Sequence, residues 1–235
     1  MKNTALEQNC PPVTATMFRY KVDVVFCIDV TGGMGPVLHM IQANVLRLGD
    51  DLKEALAQTG RNIDSLRIRV IAFRDFGDNP ATALELLDFV NLPDEETRLS
   101  SFVRGLWAGG GGDAPDSGLE ALALAIKSDW GRDDDRQRHI VVFCTDTSAH
   151  PLGRHSVPTE FGSVPVDLNE LTDWWRDEQF ISQKAKRLVL FAPDEEPWTS
   201  IATDWEGVVY VPSQMHGGLA DCSYEVILVM IKNSV

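Results

Sequence analysis

Short apolar runs rich in β-branched and aromatic residues recur along the chain and alternate with segments of helical periodicity. Most of these runs are apolar at nearly every position, as strands of a sheet covered on both faces are. Strand–helix alternation of this kind is typical of a doubly wound α/β fold with a mainly parallel sheet and helices on both faces. The predicted strands are Val22–Asp29, Ile68–Asp75, Leu84–Val90, Ile140–Asp146, Leu188–Ala192 and Val208–Val211.

The segments between the strands carry apolar residues at spacings of three and four, which predicts helices. Gly60 is a C-terminal cap signal for the first of them, and Asp167 to Glu170 has the pattern of a capping box. The predicted helices are Pro36–Thr59, Asp94–Leu106, Ser117–Trp130, a helix from Asp167 through Ile181, and Leu219–Lys232.

One connection is too short for a parallel crossover. Only the turn Gly77–Pro80 and a few residues separate two of the strands, so Leu84–Val90 is expected to pair antiparallel as an edge strand. We expect residues 1–20 to be a loose lead-in and residues 21–235 to form one domain.

Charge and cysteine usage limit the classes of partner and compartment. The chain has 35 acidic and 21 basic side chains, a formal net charge of −14, which argues against a nucleic-acid backbone or an anionic membrane as partner. The four cysteines lack CxxC spacing, and no run approaches the roughly 20 apolar residues of a membrane helix. The N-terminus also lacks an apolar signal core. These features predict a cytoplasmic protein.

Two of the predicted strands end in the same pattern, FC-x-D, at Asp29 and at Asp146. Ligands of open α/β sheets bind outside the carboxyl ends of the strands, and neighbouring strands lie about 4.8 Å apart. Two carboxylates placed there repel each other unless a cation lies between them, and a hard divalent ion is the natural occupant. The alternative is that both are ordinary strand-end residues that accept hydrogen bonds from loop backbone.

Two further features fit a cation at this edge. Thr31 follows Asp29 by two residues and offers a hydroxyl oxygen. A glycine-rich loop that contains Asp113 and Asp116 leads into a predicted helix. Such a loop can bind phosphate, but its two carboxylates would repel that ligand, so the sequence favours a metal.

These segments resemble the three metal-binding loops of the von Willebrand factor type A domain. FCIDVTGGM, GGGGDAPD and FCTDTSAH match them in order, and FRDFGD and GGDAPD resemble the intracellular form of the domain found beside α-kinases. The likeness extends from about Lys21 to the C-terminus. It implies a Rossmann-like fold with a metal-ion-dependent adhesion site built from Asp29, Thr31, Asp113 and Asp146. The ion would be Mg²⁺, or Mn²⁺ or Ca²⁺.

In this family the ion keeps an open position that an Asp or Glu of another protein fills. The resemblance therefore implies a protein-binding module and not an enzyme. The sequence departs from the family pattern at Gly33, where a serine is usual, and at Asp113, where a threonine is usual. Two outcomes stay open: the added carboxylate tightens metal binding, or the missing hydroxyl spoils an octahedral site and leaves a metal-free scaffold.

Several other residues are peripheral candidates. Asp75 is a turn former or acts by orienting Arg74 or a nearby loop, and Asp116 could cap the helix that follows it. His150 and His155 come soon after Asp146 and could line the rim of the site, although neither lies in an HExxH or CxxC motif typical of zinc sites.

An enzyme of another class is the alternative to a docking module. A Mg²⁺-dependent phosphohydrolase would use Asp29 as nucleophile, but it usually has a second aspartate where this chain has Thr31. It also needs a basic group near the phosphate; no lysine occurs in the three loops, and Arg74 is the nearest basic residue. A serine hydrolase is disfavoured because the chain has no GxSxG pattern.

Overall fold

The computed structural model describes residues 18–111, 115–132, 136–214, 219 and 222–235. The described strands form one six-stranded sheet in the order β3-β2-β1-β4-β5-β6. All neighbouring pairs are parallel except β2 and β3, which are antiparallel. The strands are β1 (Phe18–Asp29), β2 (Arg61–Phe73), β3 (Leu84–Leu92), β4 (Gln137–Cys144), β5 (Lys186–Pro193) and β6 (Val208–Ser213).

Helices cover both faces of the sheet, which confirms the predicted doubly wound α/β fold with one antiparallel edge strand. On one face α1, α2, α3 and α7 pack against side chains such as Val24 and Phe26. On the other face α4, α5 and α6 pack against Val25 and Cys27, the alternate residues of the same strand. The helices are α1 (Gly35–Asn44), α2 (Leu48–Ala57), α3 (Glu96–Gly105), α4 (Gly118–Ile126), α5 (Leu168–Arg176), α6 (Trp198–Asp204) and α7 (Tyr224–Ser234).

The predicted helix over Pro36–Thr59 is wrong in one respect, because a turn at residues 45–47 divides it into α1 and α2. Near the break, the Asn44 side chain donates to the Met40 carbonyl at 2.8 Å, a bond that competes with the helical pattern. After it, Gly49 lies so close to Leu92 that a Cβ at position 49 would be 3.3 Å from Leu92 Cδ1. Gly49 thus allows α2 to pack closely on the sheet directly after the break.

Other boundaries also differ from the prediction. The first two strands begin earlier, at Phe18 and Arg61, where their polar ends are partly exposed. The helix capped by Asp167 is shorter than predicted and ends at Arg176, and α7 begins at Tyr224. The short helix α6 falls in a segment for which the sequence predicted no element. Among the described residues, no helix is both long enough and apolar enough to cross a membrane.

The order of the strands places a crevice at the centre of the sheet. Successive connections run outward from β1 to β2 and β3 on one side, and from β4 to β5 and β6 on the other. The chain reverses direction across the sheet between β1 and β4, and ligands of such folds bind at the carboxyl ends of the strands at this switch point.

A second aspartate of β1 has a purely structural environment. Asp23 is 1% exposed and accepts hydrogen bonds from Nε and Nη2 of Arg67, at 2.8 and 2.7 Å. The backbone N–H of Gly131 and the side-chain amide of Gln137 donate to the same carboxylate at 2.8 and 3.0 Å. These donors satisfy the buried charge, so Asp23 anchors the strand and is no candidate ligand.

We expect Asp23→Ala to lower the free energy of unfolding by about 3 kcal/mol, because it leaves the donors around a buried charge without their acceptor. The matched control is Asp88→Ala, since Asp88 is 89% exposed at 3.8 Å from Arg69 and should change stability by less than about 0.5 kcal/mol. Urea unfolding monitored by circular dichroism measures both. Equal, small effects of the two substitutions would contradict the assignment.

Candidate functional site

The two FC-x-D segments lie on adjacent strands with an offset of one residue. Cys27 pairs with Phe143, and Ile28 pairs with Cys144. Asp29, which ends β1, therefore lies opposite Thr145. Asp146 is the next residue of the segment that follows β4. The sheet brings the two carboxylates to the same edge, as the sequence predicted.

Hydroxyl and amide donors hold the Asp29 carboxylate in one orientation. Its Oδ1 accepts from the backbone N–H and the hydroxyl of Thr31, at 2.9 and 2.6 Å. Its Oδ2 accepts from the hydroxyl of Thr145 at 2.7 Å. Asp29 is fully buried. The carboxylate and the Thr31 hydroxyl thus form a compact group of oxygens at the switch point.

Asp146 occupies the space beside Gly33. A Cβ at position 33 would lie 2.9 Å from Asp146 Oδ2, and Asp146 itself is 3% exposed. The carboxylate of Asp146 therefore lies next to the position where the family pattern has a serine side chain. A serine there would require Asp146 to shift.

The glycine-rich loop packs directly against the loop that follows β1. Gly32 donates to the Gly110 carbonyl at 3.0 Å, and Gly109 donates to the Val30 carbonyl at 2.9 Å. At Gly111, with φ of +68°, a Cβ would lie 2.8 Å from the Cβ of Thr31. Only glycine combines this backbone conformation with so close an approach. The predicted ligand Asp113 lies outside the described residues.

The FRDFGD segment holds the glycine-rich loop in place. Arg74 is 3% exposed and donates to the carbonyls of Gly109 and Trp107, at 3.1 and 2.7 Å. Asp78 Oδ2 accepts from the Gly111 N–H at 2.9 Å. Arg74 also donates from Nη1 to the Thr82 carbonyl and to Glu85. The hydrogen bonds of the Arg74 guanidinium therefore position the loop.

Asp75 and Asp116, two of the peripheral candidates, lie near the same edge. Asp75 Oδ1 accepts from the Ser117 hydroxyl at 3.0 Å. Asp116 is 4% exposed, and its Oδ1 has no hydrogen-bond partner among the described residues. The N-cap position of α4 belongs to Ser117, so the capping interpretation of Asp116 is not supported. The two histidine candidates, His150 and His155, both lie beside Asp75.

The site concentrates negative charge. Burial raises the pKa of Asp29 to about 6, against the hydrogen bonds from Thr31 and Thr145 that lower it, and Asp146 adds to the rise. Burial, followed by the charges of Asp29, Asp75, Asp146 and Asp78, raises the pKa of Asp116 to about 8. Both carboxylates would be stabilised in their charged form by a cation.

The oxygens present fit a hard divalent ion. Two buried carboxylates and a hydroxyl, with a third carboxylate that has an unpaired oxygen nearby, are the ligand types that Mg²⁺ and Ca²⁺ prefer. Asp29, Thr31, Asp116 and Asp146 contribute these groups within the described residues. The fit is to an oxygen-ligated cation and not to a phosphate.

Sequence reasoning missed two residues that orient this group. Thr145 lies within the FC-x-D pattern, but its bond to Asp29 depends on the one-residue offset between the strands. Ser117 bridges Asp75 and the backbone N–H of Phe76. Each of the two residues is a hydroxyl-bearing neighbour of an aspartate in the sequence: Thr145 precedes Asp146, and Ser117 follows Asp116. That adjacency is the sequence signal that could have identified them.

No family model matches the chain, and membership in the von Willebrand factor type A family therefore stays a prediction. The chain is 27% identical over 153 residues to the alpha-protein kinase vwkA of Dictyostelium discoideum, which is 64% of this chain and 23% of that protein. It is 35% identical over 159 residues to the putative ariadne-like RING finger protein R811 of Acanthamoeba polyphaga mimivirus, 65% of this chain and 14% of that protein. The chain thus spans less than a quarter of the length of these curated relatives.

A solved structure shares the fold. The pilus adhesin SpaC from Lactobacillus rhamnosus GG superposes with a TM-score of 0.53 at 11% identity, over 92% of this chain and 30% of SpaC. At that identity the similarity concerns the fold alone.

In metal-free protein we expect Asp116→Asn to raise the free energy of unfolding at about pH 8.5, by on the order of 2 kcal/mol. The folded-state pKa of about 8 lies above the ordinary value of 3.8, so the folded protein binds the extra proton. The stability from that proton is present at low pH and is lost as the pH rises towards 8. Asparagine mimics the protonated form, so the gain should shrink at about pH 5.

Urea unfolding in the presence of a chelator at the two pH values measures this difference. Asp194→Asn is the control, because Asp194 also follows a strand but is exposed. Stabilisation by Asp116→Asn that is equal at both pH values, or absent at the higher one, would show that folding does not raise the pKa of Asp116.

Proposed function

We propose that this chain is a protein-binding module of the von Willebrand factor type A kind, with a variant metal-ion-dependent adhesion site and no catalytic activity. The observation that carries the proposal is the buried Asp29 carboxylate, oriented by Thr31 and Thr145 beside Asp146 at the switch point of the sheet. Asp29, Thr31 and Asp146 would hold the ion. Asp113 would join them, as the resemblance implies.

The oxygen ligands favour Mg²⁺, with Mn²⁺ or Ca²⁺ as substitutes. When bound, the ion would supply a positively charged position that an Asp or Glu of another protein completes. The protein's own residues prepare this position: Thr145 fixes one oxygen of Asp29, and Arg74 and Asp78 fix the glycine-rich loop. A rigid set of ligands lowers the cost of ordering the site when a partner binds.

The comparisons support a module that works within or beside larger proteins. Short parts of two differently named proteins, a kinase and a RING finger protein, are similar to most of this chain. This is the pattern expected of a docking module that occurs in proteins with different functions. Cys27, Cys144 and Cys222 are buried free thiols, which supports the proposed cytoplasmic location.

The phosphohydrolase alternative receives less support from the geometry. Arg74, the basic candidate for holding a phosphate, is bonded to loop carbonyls instead. The metal-free scaffold would require this concentration of buried carboxylates to serve no ligand.

We expect chelator-stripped protein to bind Mg²⁺ in isothermal titration calorimetry, and Asp29→Ala to weaken that binding by about 100-fold or more, because it removes a charged ligand. Asp194→Ala is the matched control: it removes an exposed strand-end carboxylate and should leave the affinity unchanged. Binding that survives in Asp29→Ala would place the ion elsewhere. An absence of binding in the wild type would favour the scaffold.

The open position can be tested on the same protein loaded with Mn²⁺. Water proton relaxation reports the water molecules on the ion, so a short peptide with one glutamate should lower the relaxation enhancement as it displaces them. The same peptide with glutamine in that place is the control. Equal effects of both peptides, or none, would contradict docking through a carboxylate.

A further inference from the structure

A second group of potential metal ligands lies on residues outside the Asp29 site. Asp75 follows β2, whereas His150 and His155 lie in the long loop after β4. Asp75 and His150 are buried, and His155 is partly buried. One ligand atom from each residue lies within 4.8 Å of the other two. The fold therefore brings together two imidazoles and a carboxylate from separate parts of the chain.

The distances within the group suit a shared ion better than direct hydrogen bonds. His150 Nε2 lies 3.5 Å from Asp75 Oδ2, and His155 Nε2 lies 3.9 Å from Asp75 Oδ1. Hydrogen bonds of this type are about 2.7–3.2 Å long. Ligands at about 2.0–2.1 Å from a tetrahedral Zn²⁺ are about 3.3 Å from one another. The two distances to Asp75 exceed that spacing by only a few tenths of an ångström.

Each histidine has a ring nitrogen that is buried without a partner. His155 Nε2 and His150 Nδ1 make no hydrogen bond to any residue that the structure describes. A buried polar atom left in this state costs free energy. For His155 the unpaired nitrogen is the one that faces Asp75, so a cation between them would satisfy it.

The surrounding structure fixes the positions of the ligands. The Ser117 hydroxyl donates to Asp75 Oδ1 and accepts from the Phe76 N–H, each at 3.0 Å. The backbone N–H of His150 donates a hydrogen bond to the Asp116 carbonyl at 2.8 Å, and the backbone N–H of Asp116 donates one to the Ser148 carbonyl at 3.1 Å. The first bond orients the Asp75 carboxylate, as supporting bonds to metal ligands do, and the backbone bonds fix the loop that carries His150.

The chain also leaves room beside the carboxylate. A Cβ at Gly77 would lie 2.6 Å from Asp75 Oδ2 and 3.3 Å from His155 Cε1. A side chain at this position would therefore push the carboxylate and the imidazole apart. Because Gly77 has no side chain, Asp75 and His155 can lie close together.

We propose that Asp75, His150 and His155 form a binding site for a divalent transition metal, Zn²⁺ in particular, separate from the oxygen site at Asp29. Imidazole nitrogens suit Zn²⁺ and related ions, whereas Mg²⁺ prefers oxygen ligands. Three protein ligands would leave a further coordination position open to water or another ligand. The chain would then carry two metal sites of different chemical preference at one edge of the sheet.

The test is Zn²⁺ binding to the full chain in the presence of saturating Mg²⁺, measured by competition with a chromogenic chelator. Co²⁺ gives a second readout, because its visible absorption reports nitrogen and oxygen ligands. Wild type should bind one Zn²⁺, and His155→Ala and Asp75→Asn should weaken binding by about 100-fold or more. His39→Ala, a surface histidine of α1, should leave it unchanged. Circular dichroism confirms that each variant is folded.

Asp29→Ala separates this proposal from the proposed docking site. It should weaken Mg²⁺ binding by about 100-fold or more and leave Zn²⁺ binding and the Co²⁺ spectrum intact. The inference is overturned if wild type binds no Zn²⁺, if His155→Ala and Asp75→Asn bind it as well as wild type does, or if Asp29→Ala loses it, which would place zinc at the oxygen site.

Discussion

The buried carboxylate of Asp29 is the constraint on which the arrangement of this edge depends. It ends the central strand, where burial opposes its charge, and only Thr31 and Thr145 donate hydrogen bonds to it among the described residues. The loops around it are packed to keep it there: Gly111 approaches Thr31 closely, and Arg74 anchors the glycine-rich loop. The proposed cation would balance a charge held in this way beside Asp146.

Much of the fold could be predicted from sequence because its signals are local. Strands buried on both faces are continuous apolar runs, and each of the predicted strands is present. The antiparallel edge strand followed from the short turn at Gly77–Pro80. The errors arose where tertiary packing decides. The break between α1 and α2 lies next to the close contact of Gly49 with Leu92, and α6 is too short for periodicity to predict.

The candidate site was predictable to the extent that its residues lie in motifs at strand ends. Asp29, Thr31 and Asp146 belong to such motifs, and the sheet brings their strands together. The role of Thr145 depends on a one-residue offset in strand pairing, which no local pattern encodes. The meeting of His150 and His155 with Asp75 depends on the path of a long loop. No local zinc motif marks the two histidines, because the third proposed ligand, Asp75, follows β2 far away in the sequence.

We propose that Asp29 and Asp146 share one divalent ion. The most direct measurement is a crystal structure of the protein grown with Mn²⁺, with anomalous diffraction recorded at the manganese absorption edge. We expect an anomalous peak bounded by the Asp29 and Asp146 carboxylates and the Thr31 hydroxyl. An ordered map of these side chains without a peak, or a peak found only beside His150 and His155, would contradict it.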